Sequence, residues 1–252
     1  MRWPAEAIWE QVAPLLPGFT VEVLPELDST NTELMRRARA GRTEPVLLVA
    51  ERQTAGRGRL GRAWATGTGD ALTFSLGLPL APADWSGLSL AVGVTVAEAL
   101  HTGIGLKWPN DLWVDGRKLA GILCETAGNG AADAGRYLVV GIGINLLPRA
   151  AEGLSTPPAC LQELLPGLDA GAVLGRLARP LVEALQAFER FGFAPFQARF
   201  DARDVLRERL VTLSDGTRGT ALGVSGAGAL LVHTGAGLQA VTSAEVSVRP
   251  AA

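Results

Sequence analysis

Two lysines mark the stretch of this chain where chemistry is easiest to place. The sequence has 23 lysines and arginines, and of these only Lys107 and Lys118 are lysines. Both lie in residues 107–125, which read KWPNDLWVDGRKLAGILCE. A lysine ammonium is a compact charge on a thin stem, whereas an arginine is a flat fork, so the two are not interchangeable. Their placement indicates a site at which the shape of lysine is required and that of arginine does not fit. Chance in an arginine-rich sequence is the alternative explanation.

The same stretch predicts a β-hairpin. Residues 112–114 and 117–125 have the character of strands, and Asp115-Gly116 between them is a strong two-residue turn signal. Side chains alternate between the two faces of a strand, so Lys118 is predicted to share a face with Ile122. An ammonium on that apolar face needs an anionic partner, because an unpaired buried charge is costly. The alternative is an edge lysine whose stem lies on the apolar surface and whose charge stays in water.

A glycine- and arginine-rich loop is predicted soon after the apolar strand at 46–51. Its glycines and arginines alternate, at Gly56, Arg57, Gly58, Arg59, Gly61 and Arg62. The glycines match the spacing of a dinucleotide-binding turn, but no helix pattern follows, and the lysine of a phosphate-binding P-loop is absent. Free backbone amides and arginine forks favour binding of phosphate or carboxylate, and Trp64 is able to stack on a flat ring. The alternative is a basic loop in solvent.

A helix start is predicted at Ser29-Thr30-Asn31. Thr30 and Glu33 have the spacing of a capping box, in which two side chains satisfy free backbone amides at the first turn. A helix start of this kind also presents free amides to an anion. A structural cap alone is the alternative explanation of this pattern.

Another strand with glycines inside it is predicted over residues 136–147. Gly141 and Gly143 are costly within a strand, and their presence indicates that a ligand lies against the backbone. Gly121, in the hairpin, permits the same close approach. Asn145, near the end of the strand, has a side chain that both donates and accepts hydrogen bonds.

The remaining pattern predicts two structural parts. Helices are predicted over residues 4–16, 30–41, 84–101, 170–191 and 195–203, and further strands over 20–27, 46–51 and 71–78. From residue 210 to 248 the pattern changes to short strands separated by glycine turns, which is typical of a small β-barrel. We therefore place a domain boundary near Asp204, with domains at 1–203 and 204–252.

Composition excludes several classes of protein. The chain has 252 residues and a net charge of −2, and no basic patch indicates nucleic acid as the main partner. Two cysteines form no disulfide framework and fit a reducing cytosol, and with two histidines they argue against a structural zinc site. Residues 1–17 lack the pattern of a signal peptide, and no apolar run is long enough to span a membrane.

Together these features predict a site for a flat or extended ligand and a phosphate. The sequence contains no metal-ligand cluster and no nucleophile paired with a base. The chemistry that fits is phosphoryl or nucleotidyl transfer, in which the protein positions the reactants and stabilises the charge that develops.

Four strings give the sequence a family resemblance. They are GRGRLGRAW at 56–64, KWPNDL at 107–112, RKLAGIL at 117–123 and GIGIN at 141–145. In combination they closely resemble biotin protein ligases, over about residues 25–250. The resemblance implies an α+β fold, in which a mixed central β-sheet with helices, like the catalytic domain of class II aminoacyl-tRNA synthetases, is followed by a small SH3-like β-barrel.

The resemblance implies a reaction in two steps. Biotin and Mg-ATP give biotinyl-5′-adenylate and pyrophosphate, and a lysine of a biotin carboxyl carrier protein then attacks the adenylate. The substrates and cofactors implied are therefore ATP, Mg²⁺ and biotin, with no metal site among the predicted site residues. The implied carrier is a subunit of acetyl-CoA carboxylase or a similar protein.

The resemblance also assigns roles to individual residues. Biotin would be bound by Ser29, Thr30, Asn31, Gln53, Arg57, Gly58, Arg59, Lys118 and Gly121. ATP and the adenylate would be bound by Arg57, Arg59, Trp64, Asn110, Lys118 and Asn145. The catalytic residues would be Lys118, which would hold the carboxylate of biotin and then the α-phosphate, Arg59, which would close over the adenylate, and Asp111, which would orient or deprotonate the incoming lysine.

Further expectations concern partners and location. Some members of the family carry an N-terminal helix-turn-helix and act as repressors, but only about two dozen residues precede the first strand here, so no specific DNA binding is expected. A cytoplasmic protein without membrane contact is expected, and the resemblance implies a homodimer that pairs through the central sheet.

Two competing functions remain open at this point. One is a lipoate protein ligase, which shares the superfamily and the chemistry but acts on another acyl group. The other is a non-catalytic module that binds biotin or a nucleotide. If the chain is a ligase, the loops Arg57–Trp64 and Arg149–Pro158 are expected to be mobile without ligand and to become ordered over the adenylate.

Overall fold

The positions of the helices and strands follow the predicted pattern closely. A computed structural model describes residues 2–64, 67, 69–128, 135–149, 157–242 and 248–250. Within these ranges the α-helices are α1 (Ala5–Val12), α2 (Thr30–Arg39), α3 (Leu88–Leu100), α4 (Ala170–Phe191) and α5 (Ala194–Asp201). The strands are β1 (Thr20–Leu27), β2 (Val46–Gln53), β3 (Ala71–Leu80), β4 (Gly105–Lys107), β5 (Asp111–Val114), β6 (Arg117–Ala127), β7 (Arg136–Asn145), β8 (Leu210–Leu213), β9 (Arg218–Val224), β10 (Leu230–Thr234), β11 (Gly237–Val241) and β12 (Val248–Pro250).

Seven of the described strands form one mixed sheet. Their order is β1-β2-β3-β7-β6-β5-β4. β1 and β2 run parallel and are connected through α2, and the other neighbouring pairs are antiparallel. The mixed central sheet that the resemblance implied is therefore confirmed.

The two faces of this sheet carry different layers. On one face α1, α3 and α4 build the main core with inward side chains such as Phe74 of β3. On the other face lies α2, whose Leu34 packs in a smaller cluster with Leu48 of β2. Because side chains alternate along a strand, Ser75 of β3 points to the α2 face, where it contacts the start of that helix. The α2 face thus keeps polar side chains in a partly covered position.

Helix α3 begins later than the sequence pattern predicts. The carboxylate of Asp84 accepts a hydrogen bond from the backbone N–H of Ser86 at 2.9 Å, and Gly87 adopts a left-handed φ of 79° before the first helical residue. The chain therefore turns once more before the helix starts. None of the helices in the described ranges is long and apolar enough to cross a membrane.

A second, smaller sheet lies at the C-terminal end of the chain. Its described strands are antiparallel, in the order β11-β10-β9-β8-β12, which confirms the small β-structure predicted there. The junction is bonded to the larger sheet: Leu106 of β4 donates to the carbonyl of Arg203 at 2.8 Å and accepts from Val205 at 2.9 Å. The indole N–H of Trp108 also donates to the carbonyl of Gly228 at 3.1 Å. The division at residue 204 stays a prediction.

Candidate active site

A cavity of about 500 Å³ opens on the α2 face of the seven-stranded sheet. It is lined by the start of α2, the end of β2, the glycine-rich loop, the β5–β6 hairpin and β7. All the site residues named from the sequence line it: Ser29, Thr30, Asn31, Gln53, Arg57, Gly58, Arg59, Trp64, Asn110, Asp111, Lys118, Gly121 and Asn145. The structure therefore brings the predicted residues to one place, while their individual roles stay predictions.

The ammonium of Lys118 lies on the pocket side of β6, so the predicted sharing of a face with Ile122 is wrong. The register of β5 with β6 shifts between the pairs formed by Ala120 and by Lys118. Such a β-bulge sets two residues of one strand against one of its partner and so interrupts the alternation of side chains. Lys118 Nζ consequently lies 3.3 Å from the place that a Cβ on Gly121 would take, whereas Ile122 is buried in the main core.

The anionic partner required by Lys118 is Asp111. Lys118 Nζ donates to Asp111 Oδ1 at 2.7 Å, with 39% of the lysine side chain and 19% of the aspartate side chain exposed. The ammonium also lies 5.7 Å from the centre of a ring of Trp64. Because an ammonium has three N–H donors, this pairing leaves donors for a carboxylate or a phosphate in the pocket.

The start of α2 is capped by Ser29, so the capping box predicted for Thr30 and Glu33 is wrong. Ser29 has extended backbone, and its hydroxyl accepts from the backbone N–H of Thr32 at 3.4 Å. Glu33 pairs with the arginines of the following turn instead. Thr30 donates through its backbone N–H and its hydroxyl to Gln53 Oε1, at 2.8 and 3.1 Å. These contacts hold the polar groups of two predicted binding residues in fixed positions.

The side chain of Asn31 is engaged by the protein on both sides of its amide. Its Nδ2 donates to the carbonyl of Leu123 at 3.1 Å and to Glu125 Oε2 at 2.9 Å, and its Oδ1 lies 2.6 Å from Ser75 Oγ. A Cβ on Gly141 would lie 2.1 Å from Asn31 Oδ1. The glycine is therefore explained by a side chain of the protein rather than by the ligand expected there, and Asn31 belongs to the framework of the pocket.

Trp64 explains the second glycine of β7 in the same way. A Cβ on Gly143 would lie 2.5 Å from Trp64 Cε2, and one on Gly121 would lie 3.5 Å from Trp64 Cζ3. The indole thus lies over two glycines that are paired across β6 and β7. Its Nε1 is buried without a hydrogen-bond partner in the described part of the chain, and the guanidinium of Arg149 lies 5.9 Å from a ring centre.

The glycine-rich loop is folded back on itself beside the pocket. Gly58 donates its backbone N–H to the carbonyl of Arg62 at 2.7 Å, and Trp64 donates to the carbonyl of Gly56 at 2.8 Å. At its tip Leu60 adopts a left-handed φ of 56°. These hydrogen bonds tie the two arms of the loop to each other. Of the second loop expected to close over the adenylate, residues 150–156 lie outside the described residues.

Arg59 carries the positive charge of this loop into the cavity. Burial lowers the pKa of its guanidinium, and the negative charge of Asp111 acts in the opposite direction. Its Nη1 donates to Asn110 Oδ1 at 3.4 Å, and Asn110 Nδ2 in turn donates to the carbonyl of Ile122 at 2.8 Å. Arg59, Asp111 and Lys118 therefore place two positive charges and one negative charge around the same space.

Asn145 keeps one acceptor unused. Its Nδ2 donates to the carbonyl of Lys118 at 3.3 Å and to that of Ala159 at 3.1 Å. Its Oδ1 is buried and has no partner among the described residues. A buried polar atom of this kind is rare in proteins, since it costs free energy until it is satisfied, so the site is suited to a ligand with a hydrogen-bond donor.

The residues that the structure describes offer no dense set of metal ligands. In the described ranges, no group of three or more histidines, cysteines, aspartates and glutamates could hold a metal ion. Mg²⁺ in ATP-dependent enzymes is held by one or two carboxylates together with the phosphates of the substrate, so the residues present fit a Mg²⁺ that arrives with ATP. Cys124 is not a candidate nucleophile, since burial raises the pKa of its thiol to about 12.

Two polar residues that contact the lining of the pocket were missed at the level of sequence. Glu125 contacts Asn31 and also Arg57, and Ser75 contacts Thr30 and Asn31. Simple alternation along the strand places Glu125 on the same face as Gly121, so the sequence pattern could have indicated that Glu125 lies near the pocket. Ser75 lies within an apolar strand, between two core residues. Its position on the opposite face of the strand was the sequence signal that could have identified it.

Comparison with known proteins shows which family this chain resembles. Residues 23–145 match the model of the biotin/lipoate A/B protein ligase family, and residues 209–249 match the biotin protein ligase C terminal domain. The bifunctional ligase/repressor BirA of Escherichia coli is 37% identical over 96% of this chain and 78% of its own length. The biotin–[acetyl-CoA-carboxylase] ligase of Paracoccus denitrificans is 32% identical, over 89% of this chain and 98% of its own.

Solved structures agree with these relatives. The biotin protein ligase from Aquifex aeolicus in complex with biotin and ATP has a TM-score of 0.78 and 30% identity, over 92% of this chain and 99% of that one. Fold and site together define an enzyme that joins an acid to an amine at the expense of ATP. The chain belongs to the biotin protein ligase family.

Proposed function

We propose that this chain activates biotin with ATP to biotinyl-5′-adenylate and then transfers the biotinyl group to a lysine of a biotin carboxyl carrier protein. The observation that carries the proposal is the 2.7 Å pair of Lys118 and Asp111 inside the cavity. It combines a cation for the first step with a carboxylate for the second. Membership of the family supports the same two-step reaction.

In the first step, a carboxylate oxygen of biotin attacks the α-phosphorus of ATP. A bond forms between that oxygen and phosphorus, and the bond to the bridging oxygen breaks as pyrophosphate leaves. Two anions must approach each other for this reaction. Lys118 and the half-buried Arg59 offset that repulsion, and fixed charges in a partly dry site stabilise the charge that develops. Mg²⁺ enters bound to the phosphates of ATP as part of this substrate.

In the second step, the amine of the carrier lysine attacks the carbonyl carbon of the adenylate. The new C–N bond forms as the C–O bond to AMP breaks, and the amine must first lose a proton. In this proposal Asp111 deprotonates or orients the incoming lysine, because Lys118 leaves the carboxylate of Asp111 when it turns to the α-phosphate. This exchange of partners links the two steps.

The walls of the cavity divide between the two substrates. Biotin contacts Ser29, Thr30, Asn31, Gln53, Arg57, Gly58, Arg59, Lys118 and Gly121, all of which line the cavity. The adenylate contacts Arg57, Arg59, Trp64, Asn110 and Asn145. The unused Oδ1 of Asn145 and the buried Nε1 of Trp64 support this division, since a purine and a ribose supply donors and acceptors for them.

The remaining expectations belong to the same proposal. The carrier is the biotin carboxyl carrier subunit of an acetyl-CoA carboxylase or a similar protein, and the name of the Paracoccus relative, which gives acetyl-CoA carboxylase as its substrate, supports this. The protein works in the cytoplasm as a homodimer paired through the central sheet and does not bind a specific DNA sequence. A gel-shift assay with operator-containing DNA tests the last point, and a sequence-specific shift would contradict it.

The decisive experiment is acid-dependent release of pyrophosphate from ATP. We expect release with biotin and not with lipoate or octanoate, and we expect Lys118→Ala to reduce the rate by at least about a hundredfold, because it removes a charge that acts on the transition state. Calorimetric titration with biotin and circular dichroism control for binding and folding of the variant.

The competing functions give different results in that assay. Release with lipoate would assign the chain to the lipoate branch of the matched family. Binding of biotin without pyrophosphate release would leave a binding module. Full activity of the folded Lys118→Ala variant would contradict the catalytic role of this lysine.

A further inference from the structure

Glu125 joins the glycine-rich loop to the frame of the pocket. One carboxylate oxygen, Oε1, lies 2.5 Å from Arg57 Nη2, and the other, Oε2, accepts from Asn31 Nδ2 at 2.9 Å. We propose that Glu125 is a positioning residue that holds this loop closed over bound biotin and its adenylate. The inference rests on the proposed function for the identity of the ligand.

The Asn31 side of this connection is rigid. Asn31 is 3% exposed, and its amide is held by the carbonyl of Leu123 and the hydroxyl of Ser75 as well as by Glu125. The amide also lies close against Gly141, where an added Cβ would come within 2.1 Å of Asn31 Oδ1. Because Asn31 fixes Oε2, the carboxylate of Glu125 presents Oε1 in one direction, towards the loop.

The Arg57 side of the connection is more exposed to solvent. The side chain of Arg57 is 46% exposed and that of Glu125 is 23% exposed. Arg57 belongs to a loop closed by its own hydrogen bonds, with Arg57 bridged to Ala63, so the ion pair holds Arg59 and Trp64 together with it. An ion pair this exposed is weak. It is therefore suited to opening for a substrate and closing again.

Two functional consequences follow from that weakness. Without the pair, the open loop is more populated, so biotin binds less tightly and the adenylate escapes faster. The chemical step itself changes little, because Glu125 lies next to Arg57 rather than among the charges of Lys118, Asp111 and Arg59. If Glu125 served only to stabilise the fold, its substitution would instead lower the activity with every substrate, because less protein would be folded.

The test uses Glu125→Gln, which separates the two arms of the connection. The glutamine oxygen still accepts from Asn31, but the amide no longer pairs with the charge of Arg57. We expect the KM for biotin to rise about two- to fivefold, the range of a partly exposed ion pair, with kcat for pyrophosphate release nearly unchanged and a larger fraction of adenylate lost to solution. Glu98→Gln, which removes the partner of Arg199 on a distant surface, is the matched control and keeps wild-type values.

Salt provides a second readout that a folding defect would not produce. Salt screens exposed ion pairs, so the ratio of the KM for biotin between variant and wild type should fall towards one at high salt. A KM for biotin and an adenylate loss equal to those of wild type at low salt would overturn the inference. So would equal effects in Glu98→Gln.

Limited trypsin digestion keeps this inference separate from the proposed function. Trypsin cleaves after the arginines of the loop, so Glu125→Gln should be cut there faster than wild type in the absence of any ligand. If wild type releases no pyrophosphate but the variant is cut faster, the proposed function fails while the loop contact stands. Equal cleavage of wild type and variant would contradict the contact itself.

Discussion

At the level of single residues, the two ends of the buried Asn145 amide have different environments. Its Nδ2 donates to the carbonyls of Lys118 and Ala159, which ties the β5–β6 hairpin to the segment after residue 157. Its Oδ1 is buried without a partner among the described residues, although the residue itself lines the cavity. An amide fits this position, because one end donates to two carbonyls while the other remains available to a hydrogen-bond donor.

We predict that Asn145→Asp destabilises the protein. The substitution is nearly isosteric, but it replaces a donor by an acceptor beside two carbonyl oxygens. The free energy of unfolding should fall by about 2 kcal/mol, the usual cost of leaving buried polar groups unpaired, and the KM for ATP should rise. Urea denaturation and steady-state kinetics measure the two effects; an unchanged unfolding midpoint would show that the amide donor is dispensable.

Sequence predicted many of the residues of this site but fewer of their contacts. Lys118 was expected to need an anion, and Asp111 supplies it. Asn31 was expected at the ligand, yet its amide is engaged by the protein. The difference has a physical reason: residue type limits what a side chain can do, whereas its partners depend on elements that are distant in the chain.

At the level of secondary-structure elements, the bulge in β6 decides on which side of the sheet the ammonium of Lys118 lies. Regular alternation would direct Lys118 to the core, where its charge would be costly. The register shift next to it moves the ammonium to the pocket side. The same sheet brings Gly121 and Gly143 side by side, so a flat surface free of side chains lies under Trp64. Neither the bulge nor this pairing is readable from a local pattern.

We predict that Gly141→Ala disrupts the junction of β7 with α2. The added Cβ would lie 2.1 Å from Asn31 Oδ1, and Asn31 has no room to move because its amide is held on both sides. The variant should lose about 1–3 kcal/mol of stability, as is typical of overpacking, and should bind biotin less tightly. Thermal unfolding and calorimetry measure these changes.

A second glycine provides the control for that experiment. Gly175 of α4 has only an ordinary contact at 3.8 Å in the place of its missing Cβ. Gly175→Ala should therefore stabilise the protein by about 0.5–1 kcal/mol, because glycine weakens a helix interior. If both variants shift the melting temperature in the same direction, the explanation by the contact with Asn31 is wrong.

In the molecule as a whole, the two sheets are in contact next to the active site. The bridge between Leu106 and Asp204 and the hydrogen bond from Trp108 to Gly228 attach the smaller sheet to the segment that leads into Asp111. Asp204 lies at this junction. Its Oδ1 accepts from Leu206 at 2.8 Å, and its Oδ2 is buried with no partner among the described residues.

We predict that Asp204→Asn stabilises the protein at neutral pH but not in acid. Burial raises the pKa of Asp204 to about 6, with Asp201 adding to the rise and Arg207 opposing it. The folded state therefore holds the proton more tightly than the unfolded state, so the stability of wild type falls as pH rises from about 4 to 6 and stays lower above that range. Relative to wild type, the variant should gain about 2–3 kcal/mol between pH 4 and pH 8, since each pKa unit corresponds to about 1.4 kcal/mol.

Denaturation of both proteins across that pH range provides the measurement. The difference between variant and wild type is the quantity of interest, because other titrating groups contribute equally to both. A constant difference across the range would show that Asp204 does not titrate as its burial implies.

The resemblance carried by four strings of the sequence was enough to predict the family, the fold class and many of the residues that line the pocket. Local patterns, such as alternation in strands and the glycine–arginine loop, were enough to predict the positions of most helices and strands, because these depend on residue type and local period. Tertiary structure decided the contacts: the face on which Lys118 emerges, the neighbours of Gly141 and Gly143, the role of Glu125 and the burial of Asp204. Each depends on the register between strands or on packing between distant segments, and a local pattern carries no record of either.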